Sequence, residues 1–248
     1  MSGSETGRAP LAGRVALVTG GARRIGRAIV LMLAGEGARV AIHCNRSERE
    51  AEETAREAGG GAMVFRADLR SVDQIRRLAG EVADSMGRID ILVNNAALFG
   101  RTPFLETTED EWDSFHDVNA KAVFFLSQAV ASSMEEGSII HIADTGGVHL
   151  WPGYLAYGAS KAAVVALARG MAKALAPRIR VNAILPGPMM APEAEEAESM
   201  EEAVAKTLLR REGSPEDIAR AVRFLLIDGG YLTGAVIPVD GGRLAAGH

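Results

Sequence analysis

The chain has 248 residues, 48% of them hydrophobic and 24% charged, with a formal net charge of −5. That length and composition allow one substantial core, as in single-domain α/β proteins. An acidic balance without a basic block argues against nucleic acid or anionic membranes as partners, and no apolar run nears the roughly 18 residues of a membrane-spanning helix. Residues 1–12 begin Met1-Ser2-Gly3-Ser4-Glu5-Thr6-Gly7, a polar stretch that reads as a flexible tail and not as a signal peptide. Over 13–248, short β-branched runs alternate with longer amphipathic stretches. The expected strands are Val15–Thr19, Arg39–His43, Ala62–Arg66, Ile89–Val93, Ser138–Ile142, Arg180–Ile184 and Val236–Val239. The expected helices fall near 24–35, 48–58, 71–86, 108–133, 155–175, 195–209 and 215–227. Such alternation with right-handed crossovers defines an α/β domain with a doubly wound parallel sheet of the Rossmann type. Ligands of such sheets bind beyond the carboxyl ends of the strands.

No repeat or Pro/Ser-rich linker divides the chain. The segment 188–200, from Pro188 into the acidic Glu193–Glu198, follows a strand end and reads either as a lid over the site or as a solvated surface helix. Cys44 is the single cysteine, which excludes an internal disulfide and fits a reducing cytoplasm. His43, His116, His141 and His149 lack metal-ligand spacing, so no metal site is expected.

Strand Val15–Thr19 runs into Gly20-Gly21-Ala22-Arg23-Arg24-Ile25-Gly26 and then into an amphipathic helix. Glycines there let backbone N–H groups approach a diphosphate at the helix N-terminus. A cofactor with a free ribose 2′-hydroxyl wants a carboxylate about 20 residues beyond the last loop glycine. Counting from Gly26 reaches Arg46 and Ser47, with no acid before Glu48. A guanidinium fork beside a hydroxyl suits a 2′-phosphate, so the cofactor read here is NADPH.

Tyr157 and Lys161 stand at i and i+4 in a helical stretch and share a face. A cation beside the phenol favours the phenolate and makes Tyr157 a better proton donor–acceptor. Asp144 lies thirteen residues before Tyr157, with Thr145 beside it as an alternative hydroxyl donor.

The Tyr157-x-x-x-Lys161 pair resembles the catalytic core of the short-chain dehydrogenase/reductase family. The resemblance runs from about Val15 to Gly242. Thr19-Gly20 through Gly26 is similar to the family's glycine motif, with Arg24 in place of the middle glycine. Asp68-Leu69 matches its adenine contact, and Asn94-Asn95-Ala96-Ala97 its Asn-Asn-Ala-Gly, with Ala97 for the last glycine. Asn119 matches a helix Asn supporting a water relay to the lysine, Pro186-Gly187 the nicotinamide-side loop, and Val239-Asp240-Gly241-Gly242 the C-terminal end. The resemblance implies catalytic roles for Tyr157, Lys161 and Asn119. It implies cofactor contacts from Gly20, Arg23, Arg24, Ile25, Gly26, Asp68, Leu69, Asn95, Ala96, Tyr157, Lys161, Pro186 and Gly187, beside Arg46 and Ser47.

Where the family usually places Ser, this chain has Asp144. An ionised carboxylate would repel the oxyanion of a ketone reduction, but it suits substrate N–H groups or a C=N bond whose nitrogen takes a proton. Asp144, Arg24, Phe99 after Asn-Asn-Ala-Ala-Leu, and Tyr154 one turn before Tyr157 resemble the pteridine and dihydromonapterin reductase branch. That resemblance implies a planar pterin held by Arg24, Phe99, Asp144, Tyr154 and Tyr157, and reduction of pterin, dihydropterin or dihydrofolate. Reduction of a ketone or 3-oxoacyl thioester is the alternative, and a non-catalytic NADP(H)-binding regulator the third reading. Trp151 receives no role. Small residues around the helix from Leu155 (Ala159, Ala163, Ala166 and Gly170 among them) and the helix near 108–133 suggest self-association, which the resemblance makes a homotetramer.

Overall fold

The computed structural model describes residues 9–189 and 197–247. Seven parallel strands form one sheet: β1 (Val15–Thr19), β2 (Arg39–Cys44), β3 (Met63–Arg66), β4 (Ile91–Asn94), β5 (Gly137–Ile142), β6 (Ile179–Pro186) and β7 (Val236–Val239). Their order is β3-β2-β1-β4-β5-β6-β7, with the crossover between β1 and β4 at the centre. β1 is fully buried because a sheet covered on both faces needs an apolar run and not an alternation. One face packs on α1 (Arg24–Gly35) and α8 (Pro215–Ile227), through Ile29, Val30, Leu33, Ile218 and Val222. The other packs on α3 (Val72–Met86) and α5 (Ala122–Ala131), through Ile75, Leu78, Val82, Leu126 and Val130. α2 is Glu48–Ala58, α4 Glu109–His116, α6 Leu155–Leu175 and α7 Ala197–Ala205.

Three expectations change. Within the tail expected over 1–12, Leu11 is instead buried and its N–H donates to Glu36 O at 2.9 Å; residues 1–8 lie outside the described residues. The helix expected over 108–133 is α4 and α5 joined by one wide π turn, Asp117–Lys121, whose flanking residues keep right-handed helical dihedrals. Nothing in Asp117-Val118-Asn119 marks it, since neither Pro nor Gly interrupts the pattern, yet such turns gather at functional sites. The helix expected over 195–209 spans Ala197–Ala205, and the acidic lid candidate falls largely in 190–196, outside the described residues. Among the described residues no helix is long and apolar enough to cross a membrane, and no three potential metal ligands cluster.

Candidate active site

A cleft of about 1000 Å³ opens beyond the carboxyl ends of β1, β2, β4, β5 and β6. Its cofactor half starts at the glycine loop. Gly20 turns with φ +62°, and a Cβ on Gly26 would stand 2.0 Å from Gly20 O, so only glycine permits this approach. Asn95 locks the loop from β4: its N–H donates to Thr19 Oγ1 at 2.9 Å and its Nδ2 to Thr19 O at 2.9 Å. Arg23 precedes α1 without any side-chain cap, so the first N–H groups of the helix remain available to an anion. Arg24 holds φ +52°, the left-handed conformation for which the usual residue is glycine.

Further along this half, Arg46 and Ser47 line the rim, and Arg46 is exposed. Asp68 and Leu69 also line it, but the Asp68 carboxylate is gripped by Arg70, whose Nη2 donates at 2.6 Å. That fork holds the Asp68 pKa below its ordinary value. His43 has a role that its sequence spacing does not show. Its Nδ1 accepts from Gly20 N–H at 3.3 Å and its Nε2 faces Ala67 O at 3.1 Å, so the ring ties the glycine loop to the ends of β2 and β3. Burial lowers the His43 pKa and keeps the ring neutral, as the accepting Nδ1 requires.

At the substrate half, the turn after β5 places Asp144 at the head of α6. Asp144 Oδ1 accepts from Gly146 N–H at 2.6 Å, and Oδ2 accepts from the Tyr157 hydroxyl at 2.9 Å. The turn lies close on α6, since a Cβ on Gly147 would come 2.7 Å from the Lys161 carbonyl carbon. Lys161 is buried and donates to Ile142 O at 3.0 Å, with its Nζ 6.0 Å from the Tyr157 ring centre. Burial, opposed by Asp144, brings the Lys161 pKa down to about 8. Asp144 stays partly open to the cleft, yet scarcity of solvent around its carboxyl raises its pKa against the pull of Gly146 N–H, Lys161, Tyr157 and Arg243.

Tyr157 departs from expectation. Burial first, then the Asp144 charge and hydrogen bond, push its pKa well above 10. The cation four residues on does not produce a phenolate here, because its ammonium is turned to a backbone carbonyl and the phenol faces a carboxylate. Thr145 has a buried hydroxyl and does not line the cleft, so Asp144 and not Thr145 faces the reacting space. Asn119 stands in the π turn behind the cleft wall. Its Nδ2 donates to Ser160 Oγ and Leu98 O, both at 3.0 Å, and its Oδ1 accepts from Leu98 N–H at 2.8 Å. The side chain thus positions the 95–99 loop against α6, and Lys161 donates elsewhere, to Ile142 O.

An aromatic ladder completes this half. Phe99, 50% exposed, stacks on Tyr154 at 5.3 Å and 22°, and meets Tyr157 edge-on at 4.9 Å. Tyr154 both lines the cleft and packs against the core cluster of Phe115, Ala156 and Tyr157. Arg101 lies over it at 5.9 Å, and Trp151 meets it edge-on at 5.9 Å. The sequence missed Arg101, Trp151 and Arg243 as cleft residues. Trp151 could have been noticed from its place six residues before Tyr157, but Arg243 follows the last motif and carries no local signal.

The fold and this cleft define a nicotinamide-nucleotide oxidoreductase. The family described as enoyl-(acyl carrier protein) reductase matches residues 20–243, and the chain belongs to the short-chain dehydrogenase/reductase family. It is 38% identical over 242 residues to a 3-oxoacyl-[acyl-carrier-protein] reductase FabG of Thermotoga maritima, covering 94% of this chain and 98% of that protein. Among solved structures, a blue fluorescent protein from a metagenomic library in complex with NADPH superposes with TM-score 0.91 at 36% identity, over 94% of this chain and 99% of the other. FolM alternative dihydrofolate reductase 1 from Brucella canis, complexed with NADP, superposes with TM-score 0.86 at 39% identity, over 94% and 95%. The cofactor is NADPH. The uncapped α1 terminus, the glycine contacts that exclude Cβ atoms and the exposed Arg46 fit it.

Proposed function

We propose that this protein reduces a C=N bond of a pterin-type heterocycle, dihydropterin or dihydrofolate, at the expense of NADPH. The observation that carries the reading is the buried Tyr157 hydroxyl donating to Asp144, where a ketone reductase needs a second hydroxyl donor. NADPH, when bound, supplies the hydride to carbon. The proton for nitrogen comes through the side chains. When Asp144 takes up a proton, as burial favours, the hydrogen bond seen from Tyr157 to Asp144 reverses: the Asp144 O–H then donates to Tyr157 while Tyr157 gives its own proton to the substrate nitrogen. The phenol ends neutral, so its raised pKa is no obstacle, and the charge left on Asp144 is met by Lys161. Asp144 is then reprotonated from solvent through the open cleft. Phe99 and Tyr154, already stacked on each other, give a flat ring an aromatic wall to pack against, and Arg24 lines the same cleft.

Reduction of a 3-oxoacyl thioester is the second reading, and the FabG relatives support it. Their names weigh for a carbonyl substrate, whereas Asp144 and the aromatic ladder weigh for a heterocycle. A regulator without chemistry is disfavoured by the intact Tyr157–Lys161 pair. NADPH oxidation followed with dihydrobiopterin, dihydrofolate and acetoacetyl thioester separates the three. Asp144→Ser removes the proton source and restores a hydroxyl donor, so C=N reduction should fall while carbonyl reduction holds or rises. Phe99→Ala should raise the pterin KM with little change in kcat. Efficient thioester reduction with every pterin refused would establish the second reading.

We further propose a homotetramer. Ala166 and Gly170 on α6 are exposed, nothing stands within 4 Å of a Cβ built on Gly170, and Phe124 of α5 is partly bare. A monomeric mass by light scattering at concentrations of full activity would refute it.

A further inference from the structure

Arg243 delivers no proton in this scheme, yet it stands at the edge of the reacting space. It is only 8% exposed and lines the cleft with Asp144 and Tyr157. Its guanidinium carbon lies 5.3 Å from the Trp151 ring centre, and its Nη1 donates to Ala203 O of α7 at 2.7 Å. A guanidinium has five N–H donors, and this is its one side-chain hydrogen bond among the described residues. The backbone beneath it is fixed, because Asp240 accepts from Gly242 N–H at 2.9 Å and from Leu244 N–H at 2.8 Å. That turn in turn abuts the nicotinamide-side loop, where a Cβ on Gly187 would come 2.5 Å from Asp240 Cα. Opposite, the indole N–H of Trp151 is buried without a partner among the described residues. A preorganised cation with spare donors, held over an aromatic face at a cleft wall, is arranged to receive an oxygen.

We propose that Arg243 is a specificity-determining residue that binds a second acceptor oxygen of the substrate, one that lies on the same edge as the atom that takes the proton. A 4-oxo dihydropteridine has such an oxygen beside N5, and a 3-oxoacyl thioester has one in its thioester carbonyl; simple ketones do not. The inference rests on this cleft being the site of reduction, and it holds for either substrate class.

Arg243→Met keeps an apolar stem over Trp151 and removes every donor. Two readouts follow: kcat and KM for whichever substrate is turned over, and ligand binding by quenching of tryptophan fluorescence. For pterins, 4-oxo and 4-amino pteridines are compared; for thioesters, acetoacetyl thioester and a simple monoketone. Losing a charge-assisted bond should weaken the oxo ligand roughly 10–100-fold, with kcat within a few-fold. The analogue lacking the oxygen should bind or react as before, and NADPH affinity should not move. Equal loss for both members of a pair, a parallel loss of NADPH affinity, or no loss at all would each overturn the assignment. If the Met variant does not fold, Arg243→Lys serves, because it keeps the charge but not the fork and should still weaken the oxo ligand selectively. Selective loss on thioesters alone, with pterins refused, would uphold Arg243 and remove the pterin reading.

Discussion

At the cofactor end of the cleft the lining is backbone N–H groups and exposed cations such as Arg46, while at the substrate end it is buried titratable side chains, Tyr157, Lys161 and the partly covered Asp144. The first end is shaped by steric exclusion, as at Gly26, and its charges remain solvated. The second is shaped by desolvation, which moves all three pKa values toward the neutral form. One end therefore selects a ligand by contact, and the other sets where protons reside before any ligand arrives.

The largest effect should come from the buried end. Tyr157→Phe removes the hydroxyl that bridges Asp144 and substrate, and kcat should fall roughly 10²–10⁴-fold, the span of general acid catalysis. NADPH affinity, measured by nicotinamide fluorescence, should scarcely change. Near-full turnover would mean that Asp144 protonates the substrate directly.

Next comes the exposed end. Arg46→Asp should cost the 2′-phosphate contact, worth roughly 1.5–3 kcal/mol, or about 10–150-fold in preference for NADPH over NADH. The wild-type preference should shrink as salt rises, because an exposed cation is screened. Equal losses for the two nucleotides would show that Arg46 does not read the phosphate.

The pH dependence tests the comparison directly. Lys161 loses its proton as pH rises through about 8, so the cation facing the Asp144 carboxylate disappears. Asp144, Tyr157 and Arg243 are the other charged or titratable groups in that cluster. Turnover should fall about tenfold per pH unit above that point. Stability should move the other way. The Lys161 pKa of about 8 lies below the ordinary 10.5, so between the two the unfolded chain binds the extra proton and folding becomes more favourable as pH rises. Activity and unfolding temperature falling together between pH 8 and 10 would show that the activity loss reflects unfolding.

Much of this architecture was legible in the sequence, for reasons that differ from place to place. β1, the glycine loop and the Tyr157–Lys161 spacing are local patterns, and local sterics decide them. The π turn at Asn119 was not legible, because a helix with one widened turn keeps the same residue pattern. The direction of the Tyr157 shift was misread because the sequence shows which groups are near but not how deeply they are buried. Arg243 and His43 act through partners far away in sequence, on Ala203 and Gly20, so no spacing could reveal them.

The smallest effect belongs to Arg24, where the two ends meet. A left-handed φ of +52° on a residue with a Cβ costs roughly 1–2 kcal/mol, and glycine escapes most of that cost. Arg24→Gly relieves the backbone but loosens the unfolded chain, which offsets roughly 0.5–1 kcal/mol. Its stability should thus match or slightly exceed the parent. Arg24→Ala keeps the strain and loses the guanidinium, so it should be about 1 kcal/mol less stable than the glycine variant by denaturant unfolding. Both variants should lose substrate or NADPH affinity alike, by a few-fold, since both lack the cation that lines the cleft. If the glycine variant is more stable and binds both ligands as the parent does, the strain at Arg24 serves neither end of the site.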